Sequence, residues 1–131
     1  MERFISENII TLSTNDYTIT YADEVWEGGQ LAVNLFFGQG FGSEVTVTFS
    51  VDSNSIFENG SSSQQLTYSI DELDSVDYTK SVVLIPFDDL QIDYGTSETI
   101  NVAFTSDDQR LNGLTEDLSV LIRDNDFQRS V

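Results

Sequence analysis

Apolar residues in this chain recur at every second position, and that period confines it to β-strands with one buried face. Over 44–51, Val45, Val47, Phe49 and Val51 alternate with Thr46, Thr48 and Ser50, residue types that favour strands. Leu31, Val33, Leu35 and Phe37 repeat the pattern, as do Leu66, Tyr68 and Ile70, then Ile100, Val102 and Phe104, then Leu118, Val120 and Ile122. Tyr17, Ile19 and Tyr21 mark a more polar strand, expected at a sheet edge. The segment 81–87 is apolar almost throughout, which suits a strand covered on both faces. Between these stretches lie turn-forming sequences: Gly38-Gln39-Gly40-Phe41-Gly42, Asn59-Gly60 followed by three serines, and Asn112-Gly113. Seven short strands with such punctuation predict an all-β, two-sheet antiparallel sandwich. Helix signals are thin. Ser69-Ile70-Asp71-Glu72 fits a capping box with room for one turn, and Pro86, which has no N–H, belongs at an edge or bulge.

A chain of 131 residues matches one domain, and no repeat or long linker divides it. The core is expected over about 15–126, with short terminal arms at 1–8 and 127–131. No apolar run is long enough to cross a membrane as a helix. The opening Met1-Glu2-Arg3-Phe4-Ile5 lacks a secretory pattern, so export by that route is not expected unless a signal lies outside this sequence.

Charge narrows the partners. Twenty-three acidic residues against five basic ones give a formal net charge of −18. Phosphate backbones need Lys and Arg to displace their counterions, so nucleic acid is not an expected partner, nor is an anionic membrane surface. Self-repulsion on this scale opposes a compact fold unless salt or bound cations relieve it. The chain has neither Cys nor His, which leaves oxygen donors suited to calcium or magnesium and excludes Ser–His and Cys–His nucleophile pairs. Paired carboxylates could hydrolyse glycosides only in a substrate cleft, which nothing in the sequence marks. The expectation is a protein that is not an enzyme.

The carboxylates gather at strand ends. Asp88-Asp89 follows the apolar segment 81–87, and Asp124-Asn125-Asp126 follows the last patterned strand. Glu27 lies between Trp26 and Gly28-Gly29, Glu98 opens the strand 99–104, and Asp93 stands between Glu98 and the Asp pair. In a sandwich several strand ends meet at one pole, where a divalent cation would convert carboxylate repulsion into a tie between loops. Spacing alone also fits solvated loop carboxylates on a very acidic surface.

Four motifs in order also resemble the Calx-β domain family, over about residues 22–126. Val25-Trp26-Glu27-Gly28-Gly29 is similar to the family's opening V-x-E-G, and Val82-Val83-Leu84-Ile85-Pro86-Phe87-Asp88-Asp89 to its apolar strand ending in Asp-Asp. Glu98-Thr99-Ile100-Asn101-Val102 resembles its E-x-F-x-V strand, and Leu121-Ile122-Arg123-Asp124-Asn125-Asp126 its closing V-x-I-x-D-N-D. The resemblance implies an immunoglobulin-like, seven-strand Calx-β sandwich. It also implies calcium ligands at Glu27, Asp88, Asp89, Glu98, Asp124 and Asp126. One departure stands out. The family's G-x-D-Y, some two dozen residues before Asp-Asp, has no counterpart here, since Asp77-Tyr78 lies too close to Asp88.

Trp26 is expected as a core anchor rather than a ligand platform, and Phe36, Phe41 and Phe57 fall on polar positions or in loops, as partly exposed aromatics or a minority binding patch. These readings converge on a calcium-stabilised structural or interaction module whose partner is a protein. A lone acidic sandwich without a secretory signal points to the virion surface, as a capsid decoration or cement protein bound to the shell. The alternative is an extracellular adhesion or calcium-sensing module of a larger surface assembly.

Overall fold

The computed structural model describes residues 8–38, 40–52, 55–75, 78–87 and 96–123. Ten strands and one short helix make up its regular structure: β1 (Ile9–Ser13), β2 (Tyr17–Ala22), β3 (Glu24–Trp26), β4 (Leu31–Phe37), β5 (Val45–Ser50), β6 (Ser55–Phe57), β7 (Ser63–Tyr68), α1 (Ile70–Asp74), β8 (Lys80–Pro86), β9 (Thr96–Ser106) and β10 (Thr115–Arg123). They form two five-stranded sheets, ordered β1-β2-β4-β8-β6 and β3-β10-β9-β5-β7.

The chain is therefore an all-β sandwich, as the period of two predicts, but the strands among the described residues number ten rather than seven. The seven patterned segments correspond to β2, β4, β5, β7, β8, β9 and β10. The additional strands, β1, β3 and β6, all lie at sheet edges. Two of them are only three residues long, too short to display a period. The expectation of wholly antiparallel pairing also needs correction, because β3 runs parallel to β10. This follows from a change of sheet. Just past Ala22 the chain leaves the first sheet, and β3 joins the second beside the last strand.

Alternation sets which side chains meet between the layers. Tyr17, Ile19 and Tyr21 of β2 face inward, as do Leu31, Val33, Leu35 and Phe37 of β4, opposite Val45, Val47 and Phe49 of β5 and Ile100, Val102 and Phe104 of β9. Buried Tyr17, Ile19 and Tyr21 do not mark an edge strand, since β1 covers β2 on its outer side. At one end the Tyr17 ring lies 4.6 Å from that of Phe104, and Phe37 meets Phe41, Tyr68 and Phe104 edge-on. Edge-to-face pairs of this kind add to the stabilisation from burial alone. Phe41 and Phe57 are core residues, not partly exposed aromatics. Phe41 folds in from the loop after β4, with Arg110 stacked 4.4 Å over its ring, and Phe57 is carried by the unpatterned β6. In β8 only one face is fully buried; Val83 and Ile85 are half-buried on the other.

The strand pattern through Leu66, Tyr68 and Ile70 breaks after Tyr68. Ile70 is exposed and begins α1, where the Ser69 hydroxyl accepts from Glu72 N and the Glu72 carboxylate accepts from Ser69 N. These are the two bonds of a capping box. The Ser69 N–H, followed by the Lys80 ammonium, holds the Glu72 carboxyl down at about 2.

The Tyr68 hydroxyl ties the layers together. From β7 in one sheet it donates to Leu35 O at 2.5 Å and accepts from Lys80 N at 3.1 Å, bridging the last paired residues of β4 and β8 in the other. Burial pushes this phenol well above its usual range, so it keeps the proton it donates. Tyr68→Phe preserves the ring packing and leaves both backbone groups unpaired. It should cost about 1–3 kcal/mol, read as a lower midpoint in urea with an unchanged slope.

Candidate cation site

Glu27 and Glu98 are two of the few buried polar or charged residues in the described chain, at 7% and 2% exposure. That burial is what singles them out among so many carboxylates. Each stands at the same pole of the sandwich, for reasons legible in the backbone. After β3, Glu27 N donates to Arg123 O at 2.9 Å and Gly28 N donates to Pro86 O at 3.0 Å. Two successive amides thus fasten the end of β3 to the ends of β10 and β8. The turn needs both glycines. Gly28 has φ 73°, a left-handed conformation that disfavours side chains. A Cβ on Gly29 would come within 2.9 Å of Trp26 O.

Pro86 is paired in turn with Ser55, the first residue of β6. Ser55 belongs to one sheet and Glu98 to the other, and the Ser55 hydroxyl lies against the Glu98 carboxylate. Burial raises the Glu98 pKa above the usual carboxylate range. The neighbouring Ser55 hydroxyl opposes that rise, while the Asp52 charge adds to it. Neither Ser55 Oγ nor Glu98 Oε1 completes a well-formed hydrogen bond among the described residues. A buried carboxylate oxygen in this condition destabilises the fold unless a proton or a cation reaches it.

Of the six residues implied as ligands, the structure thus gathers Glu27 and Glu98 at one pole. Asp88, Asp89, Asp124 and Asp126 lie outside the described residues, as does Asp93. The last described residues before the two acidic segments, Phe87 and Arg123, follow or end the strands whose carbonyls receive the Gly28 and Glu27 amides. Among the described residues no group of three or more acidic side chains could hold a metal ion. The participation of Ser55 was not foreseen. Nothing in its sequence context marks it, because its position depends on the pairing of a three-residue strand.

No family model matches this chain, and no curated protein does.

Elsewhere two described carboxylates pair with arginines. Asp108 lies 2.8 Å from Arg110 Nη2, which holds its carboxyl down at about 2. Glu24 lies 2.9 Å from Arg123. Trp26 is half-buried and borders a groove of about 360 Å³ on the outer side of the first sheet, so it is not a fully enclosed core anchor.

The raised pKa of Glu98 has a definite sign. Between its unfolded and folded pKa values the native state binds more protons, so stability falls as pH rises through that interval. Above it, Glu98 carries an uncompensated buried charge. In chelator at a pH above that interval, Glu98→Gln should therefore raise the melting temperature, by on the order of 4 °C. The gain over wild type should vanish at a pH where Glu98 is protonated, which melting curves of both proteins across a pH series will show.

Proposed function

We propose that this chain is a non-catalytic structural and interaction module, an immunoglobulin-like sandwich of the Calx-β kind held at one pole by calcium. The observation that carries the reading is Glu98, a buried carboxylate whose Oε1 has no hydrogen-bond partner among the described residues, on the side of the fold where β3, β8 and β10 end together. A hard divalent cation satisfies such an oxygen, and carboxylates, carbonyls and water complete its six to eight ligands. In this reading Glu27, Glu98, Asp88, Asp89, Asp124 and Asp126 supply the acidic donors. The seven patterned strands form the family frame, with β1, β3 and β6 as additions along its edges.

The net charge of −18 supports a working environment that supplies cations. The setting proposed is the surface of a virus particle, where the module decorates the protein shell. An extracellular adhesion assembly shares the same medium and is the alternative that the tests separate.

Calcium should raise the melting temperature, because a ligand that binds only the folded state stabilises it by mass action. At a hundredfold excess over Kd the effect is about 2.7 kcal/mol. Asp88→Asn combined with Asp124→Asn should abolish the shift. An identical melting curve in calcium and in chelator overturns the cation site. Co-sedimentation with virus shells supports decoration, and failure to bind shells while binding cell-surface material favours adhesion.

A further inference from the structure

Each sheet has two edges, and their outward backbone groups are treated very differently. Along β7 the residues turned away from β5 are Ser63, Gln65 and Thr67, because the bond from Val51 N to Ser62 O fixes the phase of the ladder. Side chains occupy three of these six backbone groups. Ser63 N donates to Ser61 Oγ, Ser63 O accepts from Asn59 Nδ2, and Thr67 O accepts from Lys80 Nζ. Along β6 the outward Phe57 N and O are bonded to Ser61 O and Gly60 N in the following turn. The β3 edge is three residues long, carries Glu24, and has Trp26 O bonded to Gly29 N. Capped groups, short length and charge are the usual defences of an exposed edge.

The β1 edge has none of them. Asp23 N donates to Asn8 O and Thr14 N to Tyr17 O, both on the β1–β2 register, so Ile10 and Leu12 bond to β2 while Ile9, Thr11 and Ser13 direct their N–H and C=O outward. No described residue pairs with those groups. The strand Ile-Ile-Thr-Leu-Ser contains neither charge nor proline, and Ile9 is 63% exposed. Ile9 also borders the groove of about 360 Å³ that Ala22, Trp26 and Ala32 line.

We propose that β1 is a docking edge for an extended segment of a basic protein partner, which adds a strand to the first sheet. Backbone spacing dictates the conformation of the occupant: an extended strand exchanging hydrogen bonds with Ile9, Thr11 and Ser13. Charge dictates its sign. An uncharged edge on a body of net charge −18 attracts a cationic chain and repels a second copy. The groove beside Ile9 gives an apolar side chain of the partner a seat, and so contributes selectivity. This inference does not depend on the cation site.

The probe is a synthetic peptide alternating Thr and Val and flanked by Lys, titrated against the full chain. It should slow amide exchange at Ile9, Thr11 and Ser13, change the fluorescence of Trp26, and bind more weakly as salt rises. Thr11→Pro removes an outward donor while sparing the ladder to β2, and should weaken binding by about tenfold or more with little change in melting temperature. N-methylation of alternate peptide amides should do the same without altering the protein. Three results would overturn the proposal. The first is slow exchange at those three amides in the chain alone, and the second is equal binding of a Glu-flanked peptide. The third is a concentration-dependent dimer that Thr11→Pro dissolves, which would assign the edge to a second copy.

Discussion

The architecture depends on the change of sheet between Ala22 and Glu24. One continuous stretch supplies β2 to the first layer and β3 to the second, and then returns one amide to each. Glu27 N bonds to Arg123 of the second sheet, and Gly28 N bonds to Pro86 of the first. A sandwich is otherwise held by side-chain packing, which is non-directional and fixes the relative position of two layers only loosely. Backbone bonds that reach both layers within two residues fix it at one pole. At the other end the Tyr68 hydroxyl, bonded to Leu35 and Lys80, does the equivalent work beside the cluster of Tyr17, Phe37, Phe41 and Phe104.

These two fastenings differ in chemistry, which bears on function. The aromatic end is satisfied: its phenol has both a donor role and an acceptor role, and its rings are packed edge to face. The pole at Glu98 is strained electrostatically, with a buried carboxylate oxygen lacking a partner among the described residues. Natural folds tolerate such a group where something binds. A cation there would tie the two sheets through Ser55, Glu98 and Glu27, reinforcing the link that the Glu27 and Gly28 amides already make. Stability and ligand binding are then a single equilibrium rather than separate properties.

Edges carry the second functional theme. Three of the four sheet edges are short, charged or, in β7, partly capped by neighbouring side chains, whereas β1 presents its outward amides and carbonyls bare among the described residues. A protein with so high a negative charge is protected against self-association by repulsion at long range. Such repulsion opposes pairing between the open β1 strands of two copies.

The sequence by itself determined the sandwich. Alternation in Val45-Thr46-Val47-Thr48-Phe49 commits those residues to a half-buried strand, and six such stretches together with the apolar segment 81–87 predict an all-β fold of packed sheets. It also determined the capping box at Ser69, which involves only residues three apart. Tertiary structure alone decided the rest. The strands β3 and β6 are three residues long, and β1 is exposed along most of its length, so no burial pattern announces them. Phe41 and Phe57 looked peripheral because a loop residue has no phase relative to a sheet until the chain has folded. Glu98 sits in phase with Ile100 and Val102, a position that alternation marks as inward. Whether an inward glutamate meets a cation, an arginine or a serine depends on the layer opposite, and contacts between layers join residues far apart in the chain. Local chemistry chooses the strand; only the assembled sheets choose what each buried group faces.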